Sequence, residues 1–214
     1  MRSTLLSVLT TLLLLGNAVT PGSTNPILSH CQKPLTLPQL LSVVPTASSC
    51  ASAAFPSECA TAEAALKPIL DGFTNFSIPT APEQAALLSW MAFESGEFKF
   101  NQNHFPGTPG QGTRNMMMPN FIKEYVLSIP ELASQAPGKD VVALLALVQP
   151  DKFSFASAAW FYSTHCSEAV KQGVQTGSKS GWAGFLTGCV GTTVSDAREV
   201  YWTRAMNALG APIS

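Results

Sequence analysis

The sequence predicts a mainly α-helical, disulfide-containing domain behind an irregular, cysteine-bearing N-terminal segment. Three observations predict it. Helical patterning recurs along most of the chain after residue 57, whereas the strict alternation of a half-buried strand is scarce. Five cysteines follow an N-terminus with the features of an export signal, which points to an oxidising compartment. Without that signal about 190 of the 214 residues remain, enough for one domain with its own core.

Residues 1–20 read as the signal peptide. Arg2 supplies the positive charge, Leu5 to Leu15 form a run broken only by Ser, Val and Thr, and Asn17-Ala18-Val19-Thr20 offers small residues for cleavage. A membrane span needs about 20 apolar residues, and this run ends at Pro21-Gly22-Ser23. The expected product is therefore secreted, extracellular and free of any membrane. Its cysteines are expected as bridge partners, since none has CxxC spacing and no metal-ligand spacing or cofactor motif is present. Proximity in sequence assigns Cys50 to Cys59 and Cys166 to Cys189 and leaves Cys31 over.

Residues 21–56, rich in Ser, Pro, Thr and Ala, read as an irregular leader that wraps the domain at 57–214. An Ala-rich helix is expected over 58–70, interrupted near Pro68, then loop over 71–79. Thr80-Ala81-Pro82-Glu83 fits a capping box and starts a helix that runs to about Ser95, with Gly96 at its stop. Further helices are expected over 120–128, 140–148, 155–165, 179–188 and 196–209. Asn75-Phe76-Ser77 is a glycosylation sequon, equally readable as an ordinary loop Asn.

Charged residues make up 12 % of the chain and the net charge is -1, or -2 once Arg2 leaves with the signal, which argues against nucleic acid as a partner. One carboxylate stands out. Leu87, Trp90, Met91 and Glu94 fall at i, i+3, i+4 and i+7, so Glu94 lies on the apolar stripe. Desolvation and the negative end of the helix dipole both favour its protonated form, which suits a general acid for glycosidic cleavage. The segment 98–115 then supplies uncharged hydrogen-bonding groups, among them Asn103, Gln111 and Asn115 together with Arg114. Trp160 and its neighbours Phe161 and Tyr162 offer sugar-stacking faces, as do Trp182 and Trp202, against core packing as the plainer role.

The run Glu94-Ser95-Gly96-Glu97-Phe98, followed by Gly112-Thr113-Arg114-Asn115 and Pro119, resembles the catalytic motif of goose-type lysozymes and soluble lytic transglycosylases. Ser157-Ala158-Ala159-Trp160-Phe161-Tyr162 is similar to the aromatic helix of lysozyme-like glycosidases. The resemblance covers about 26 residues in its first part, with one residue inserted before Phe98, Asn where the family has Gln, Thr-Arg for Leu-Met, and Pro119 one residue late. It implies a lysozyme-like fold, Glu94 as acid and base, Asn115 as a sugar or water contact, and Gly112 as a tight turn beneath the substrate. Glu97 is the nearest second carboxylate. The substrate it implies is a polysaccharide containing N-acetylglucosamine, peptidoglycan or chitin, cleaved by a monomeric fungal-type secreted enzyme. The competing expectations are a non-catalytic secreted binder of glycan or host protein, or a structural protein in which Glu94 is salt-bridged to Arg114 or Lys99. His104 and His165 are expected as a loop hydrogen-bonder and a helix C-terminal residue.

Overall fold

The computed structural model describes residues 34–213. The expected signal at 1–20, the leader up to residue 33 and Cys31 lie outside the described residues. Among the described residues there is no β-strand, and no single helix is long and apolar enough to cross a membrane.

Helices α1 (Leu37–Val43), α2 (Ala62–Asn75) and α3 (Ala81–Glu94) come first. Helix α1 lies inside the segment expected to be irregular. Gln39 there accepts the Thr36 N–H at 2.9 Å, and Leu40 and Val43 are buried completely, as are Val44 and the Ala47 of the following 3-10 turn, Pro45–Ser48. That segment therefore builds core. Helix α2 does not stop at Pro68 but continues to Asn75, which is exposed at its end. The carbonyl that Pro68 leaves unbonded belongs to Ala64, which is exposed, so the missing bond is open to water.

Helix α3 forms the middle of the molecule. Its residues from Ala85 to Ala92 are buried on every side, so no single apolar stripe distinguishes its faces. Its cap also departs from the expected reciprocal box. Thr80 Oγ1 accepts the Glu83 N–H, but the Glu83 carboxylate meets the Thr80 hydroxyl at 2.6 Å rather than its amide. The same carboxylate accepts Tyr162 Oη at 3.1 Å and Gln175 Nε2 at 2.9 Å, which holds the start of α3 against two later helices.

Those later elements are α4 (Pro119–Ser128), α5 (Pro130–Ala133), α6 (Val141–Val148), α7 (Asp151–Ser154), α8 (Ser157–His165), α9 (Glu168–Gln175), α10 (Lys179–Phe185) and α11 (Asp196–Ala208). Helix α11 packs along α3, which also touches α8 and α9. Helix α9, which the sequence reading passed over, carries one buried residue, Val174. It lies so close to α10 that a β-carbon at Gly181 would collide with the carbonyl of Gly173.

Both assigned bridges form: Cys50 to Cys59, and Cys166 to Cys189. The second ties the end of α8 to a π-helical turn, Leu186–Val190, which closes at left-handed Gly191.

Candidate functional site

Helix α3 stops abruptly. Gly96, Glu97 and Phe98 all have positive φ, at 56°, 54° and 68°, and for a buried aromatic residue that conformation is costly. The turn is held by Phe98 N–H donating to Ser95 Oγ at 2.9 Å and by the amides of Lys99 and Phe100 donating to the Ser95 carbonyl. The N-terminal segment braces it from outside. Glu97 Oε2 accepts the Thr46 amide at 2.7 Å and the Thr46 hydroxyl, Glu97 Oε1 accepts Tyr201 Oη at 3.0 Å, and Lys99 Nζ donates to the carbonyls of Thr46 and Ser49. Glu97 is thereby engaged in the brace and does not line the groove described below, which removes it as a second catalytic carboxylate.

The chain then folds back on itself at two bridges, Gln102 to Gly112 and Gly112 to Met117. Gly112 is required by proximity, because a β-carbon there would lie 2.6 Å from the Asn101 carbonyl oxygen and 2.7 Å from Leu145 Cδ1.

Two hollows meet at the end of α3. One, of about 310 Å³, is lined by Phe93, Glu94, Phe100, Asn103, His104 and Phe105 among others. The other, of about 250 Å³, is lined by Trp90, Glu94, Asn115, Phe121, Phe161 and Arg198 among others. Glu94, Gln111 and Met116 line both, so Glu94 stands where the two hollows adjoin in one groove, each lined by polar and aromatic residues.

Of the residues singled out in the sequence, Glu94, Asn103, Gln111 and Asn115 come together here. Asn103 Nδ2 donates to Gln111 Oε1 at 2.6 Å, and Gln111 Nε2 donates to the Met116 carbonyl at 3.1 Å, so the two amides stiffen the loop as well as face the groove. Asn115 Oδ1 lies 2.8 Å from Thr113 Oγ1 and 2.7 Å from Ser157 Oγ, while its Nδ2 is buried without a partner. The indole Nε1 of Trp90, a residue that lines the second hollow, is likewise buried without a partner.

Three expectations are corrected. Glu94 pairs with neither Arg114 nor Lys99 but with Arg198 of α11, Oε1 to Nη1 at 2.7 Å. Their side chains are 20 % and 12 % exposed, so the pair sits at the groove wall, and Oε2 has no hydrogen-bond partner among the described residues. Arg198 also stacks on Phe93 at 4.1 Å and donates to Thr192 Oγ1. Arg114 lines neither of these two hollows but a third, of about 580 Å³, with Glu58, Gln102 and Asp151 among others. Its guanidinium is buried, donates to the carbonyls of Phe98 and Phe100 and to Asp151 Oδ1, and lies over the Phe155 ring. Burial pushes its pKa below the ordinary value, with Asp151 pulling the other way. Trp160 is core, packed on Tyr125 at 4.8 Å, and the residue of that run which reaches the groove is the next one, Phe161. Trp182 and Trp202 stack on each other in the interior.

Phe105 is a groove residue that sequence reading missed, while His104 hydrogen-bonds in its loop as expected. Phe105 is 82 % exposed on the groove rim. His104 hydrogen-bonds Glu58 at 2.8 Å and stacks flat on Phe55 at 3.7 Å. The dense turn signals of 101–112 marked a loop, and nothing in them separated an exposed Phe from a buried one. His165 sits within an aromatic cluster of Phe121, Trp160 and Phe161, 3.5 Å from Glu124.

No family model matches this chain, and no solved structure matches it. A Fusarium oxysporum (strain Fo5176) protein named bifunctional dioxygenase (DOX)-epoxy alcohol synthase (EAS) is 42 % identical over 151 residues, which is 66 % of this chain and 12 % of that protein. The chain thus spans a small fraction of that relative's length.

Proposed function

We propose that this chain is a secreted glycan-cleaving protein on a lysozyme-like scaffold, a glycoside hydrolase or lytic transglycosylase acting on a polymer that contains N-acetylglucosamine. The observation that carries the proposal is the position of Glu94 at the junction of the two hollows, where a bond between two sugars held in the two halves would lie beside its carboxyl group. Arg198 holds Oε1, which leaves Oε2 as the oxygen that would face the departing glycosidic oxygen. Uncharged amides line the groove, and the near-neutral chain favours chitin over an anionic wall polymer.

The ion pair itself favours a second reading. If Glu94 serves only to fasten α11 to the end of α3, the groove binds a glycan or a host protein and cleaves nothing. The activities named for the Fusarium protein belong to a protein of which this chain matches 12 %, and no residue of this groove is tied to them.

Release of soluble sugars from chitin and from peptidoglycan by the wild type and by Glu94→Gln distinguishes these. The amide keeps an oxygen for Arg198 but has no acidic proton. Turnover by the wild type alone supports the enzyme, and equal turnover by both removes Glu94 from the chemistry. No turnover by either folded protein leaves the binder.

A further inference from the structure

The third hollow, of about 580 Å³, lies away from Glu94 and falls within the size range of small-molecule sites. Its character comes from Glu58, Asn101, Gln102, Arg114, Gln149 and Asp151, and no aromatic side chain lines it. Most of the polar atoms on these walls bond one another. Glu58 Oε1 accepts Gln102 Nε2 at 2.9 Å and His104 Nε2 at 2.8 Å, and Gln149 Nε2 donates to Asn101 Oδ1 at 3.1 Å and to Gln102 Oε1 at 3.3 Å. Three atoms are left over. Asp151 Oδ2, Gln149 Oε1 and Asn101 Nδ2 have no hydrogen-bond partner among the described residues, and none of the three is sealed from solvent. Asn101 is 7 % exposed and lines neither of the other two hollows, so its free amide opens into this one.

Charge and lining narrow the ligand. Two carboxylates, Glu58 and Asp151, stand here against one guanidinium, and Arg114 already donates to the Phe98 and Phe100 carbonyls and to Asp151 Oδ1. An anion, or an amino acid with its carboxylate, finds no free cation. The open acceptors, Asp151 Oδ2 and Gln149 Oε1, call for a positively charged group with several N–H donors, because a charge-assisted hydrogen bond is about twice as strong as a neutral one. A hydrocarbon diamine would supply the charge but needs apolar or aromatic walls for its methylenes, which this hollow lacks. What remains is an ammonium on a hydroxylated frame.

We infer that the third hollow is a second binding site, separate from the groove at Glu94, for a hydroxylated primary ammonium, the chemistry of an amino sugar with a free amine. The ammonium donates to Asp151 Oδ2 and Gln149 Oε1, and Asn101 Nδ2 donates to a hydroxyl oxygen of the same ligand. The inference does not depend on cleavage at Glu94, which is not on these walls.

The test measures calorimetric affinities at about pH 6, below the ordinary range of an amine, for glucosamine, for glucose and for 1,4-diaminobutane. The wild type is expected to bind glucosamine about tenfold or more tighter than either of the others. Two variants locate the site. Asp151→Asn keeps an oxygen for Arg114 but removes the charge, and Ala146→Trp fills the hollow from an exposed position on α6; each is expected to weaken glucosamine binding about fivefold or more. Glu94→Gln is expected to leave it unchanged, so failure here is distinct from failure of the glycan-cleaving proposal. Equal wild-type affinity for glucosamine and glucose overturns the inference, because the ammonium is then not read. Equal affinity for glucosamine and diaminobutane overturns it through the hydroxylated frame. Undiminished binding by a folded Ala146→Trp protein places the ligand elsewhere and overturns it too. So does the absence of glucosamine binding by the wild type, a result that needs no variant to fold.

Discussion

At the scale of single residues, the groove separates side chains that work on a ligand from those that hold the turn. Phe105 is exposed at the rim and touches little of the core, so Phe105→Ala is expected to leave the melting temperature within about a degree while weakening binding of acetylated oligosaccharides roughly fivefold to tenfold. Arg114 behaves oppositely. Arg114→Met removes the donor to the Phe98 and Phe100 carbonyls and to Asp151, and is expected to lower unfolding free energy by about 2 kcal/mol in urea titrations. Sequence spacing drew attention to Glu94, Asn103, Gln111 and Asn115 because dense amides after a helix end are visible in one dimension. It misplaced Trp160, and put Arg114 at this groove rather than at a third hollow, because burial is decided by partners distant in the chain: Tyr125 for the first, Asp151 for the second. Arg198, 104 residues from Glu94, carried no local signal at all.

At the scale of elements, capping chemistry and helical period were legible and thin apolar faces were not. Thr80 opened α3 and Ser195 opened α11 as their residue types demand, whereas α1 and α9, short helices with Thr36 and Ser167 at their starts, went unread. The positive-φ turn at 96–98 could be read only as a stop at Gly96, since Glu97 and Phe98 adopt that conformation under the grip of Ser95 and Thr46. The bridge from Cys166 to Cys189 has its own consequence here. It closes a loop with a sequence separation of 23 next to Val190, Gly191 and Thr192 on the groove wall. Replacing both cysteines by serine is expected to cost about 3 kcal/mol in chemical denaturation. It should also weaken oligosaccharide binding more than removal of the Cys50 to Cys59 bridge, which touches neither of the two groove hollows.

At the scale of the whole molecule, a mainly helical domain with two bridges is what composition and patterning foretold, and the buried tyrosines give it a pH signature. Burial raises the pKa of Tyr125, Tyr162 and Tyr201 above the ordinary value near 10, with Glu83 adding to the effect at Tyr162 and Glu97 at Tyr201. The unfolded chain releases these protons near pH 10 while the folded chain retains them. Stability is therefore fully present below about pH 10 and falls as pH rises above it. Thermal unfolding across that range is expected to show the loss, and Tyr162→Phe to make it shallower. The claim on which the functional proposal stands is that one sugar chain crosses Glu94 with a residue in each hollow. A crystal structure of Glu94→Gln soaked with the N-acetylated tetramer measures this directly. Density for the tetramer running from Phe105 to Trp90, with a glycosidic oxygen within hydrogen-bonding reach of residue 94, is the expected result. A tetramer bound elsewhere on the surface, or none at saturating concentration, contradicts it.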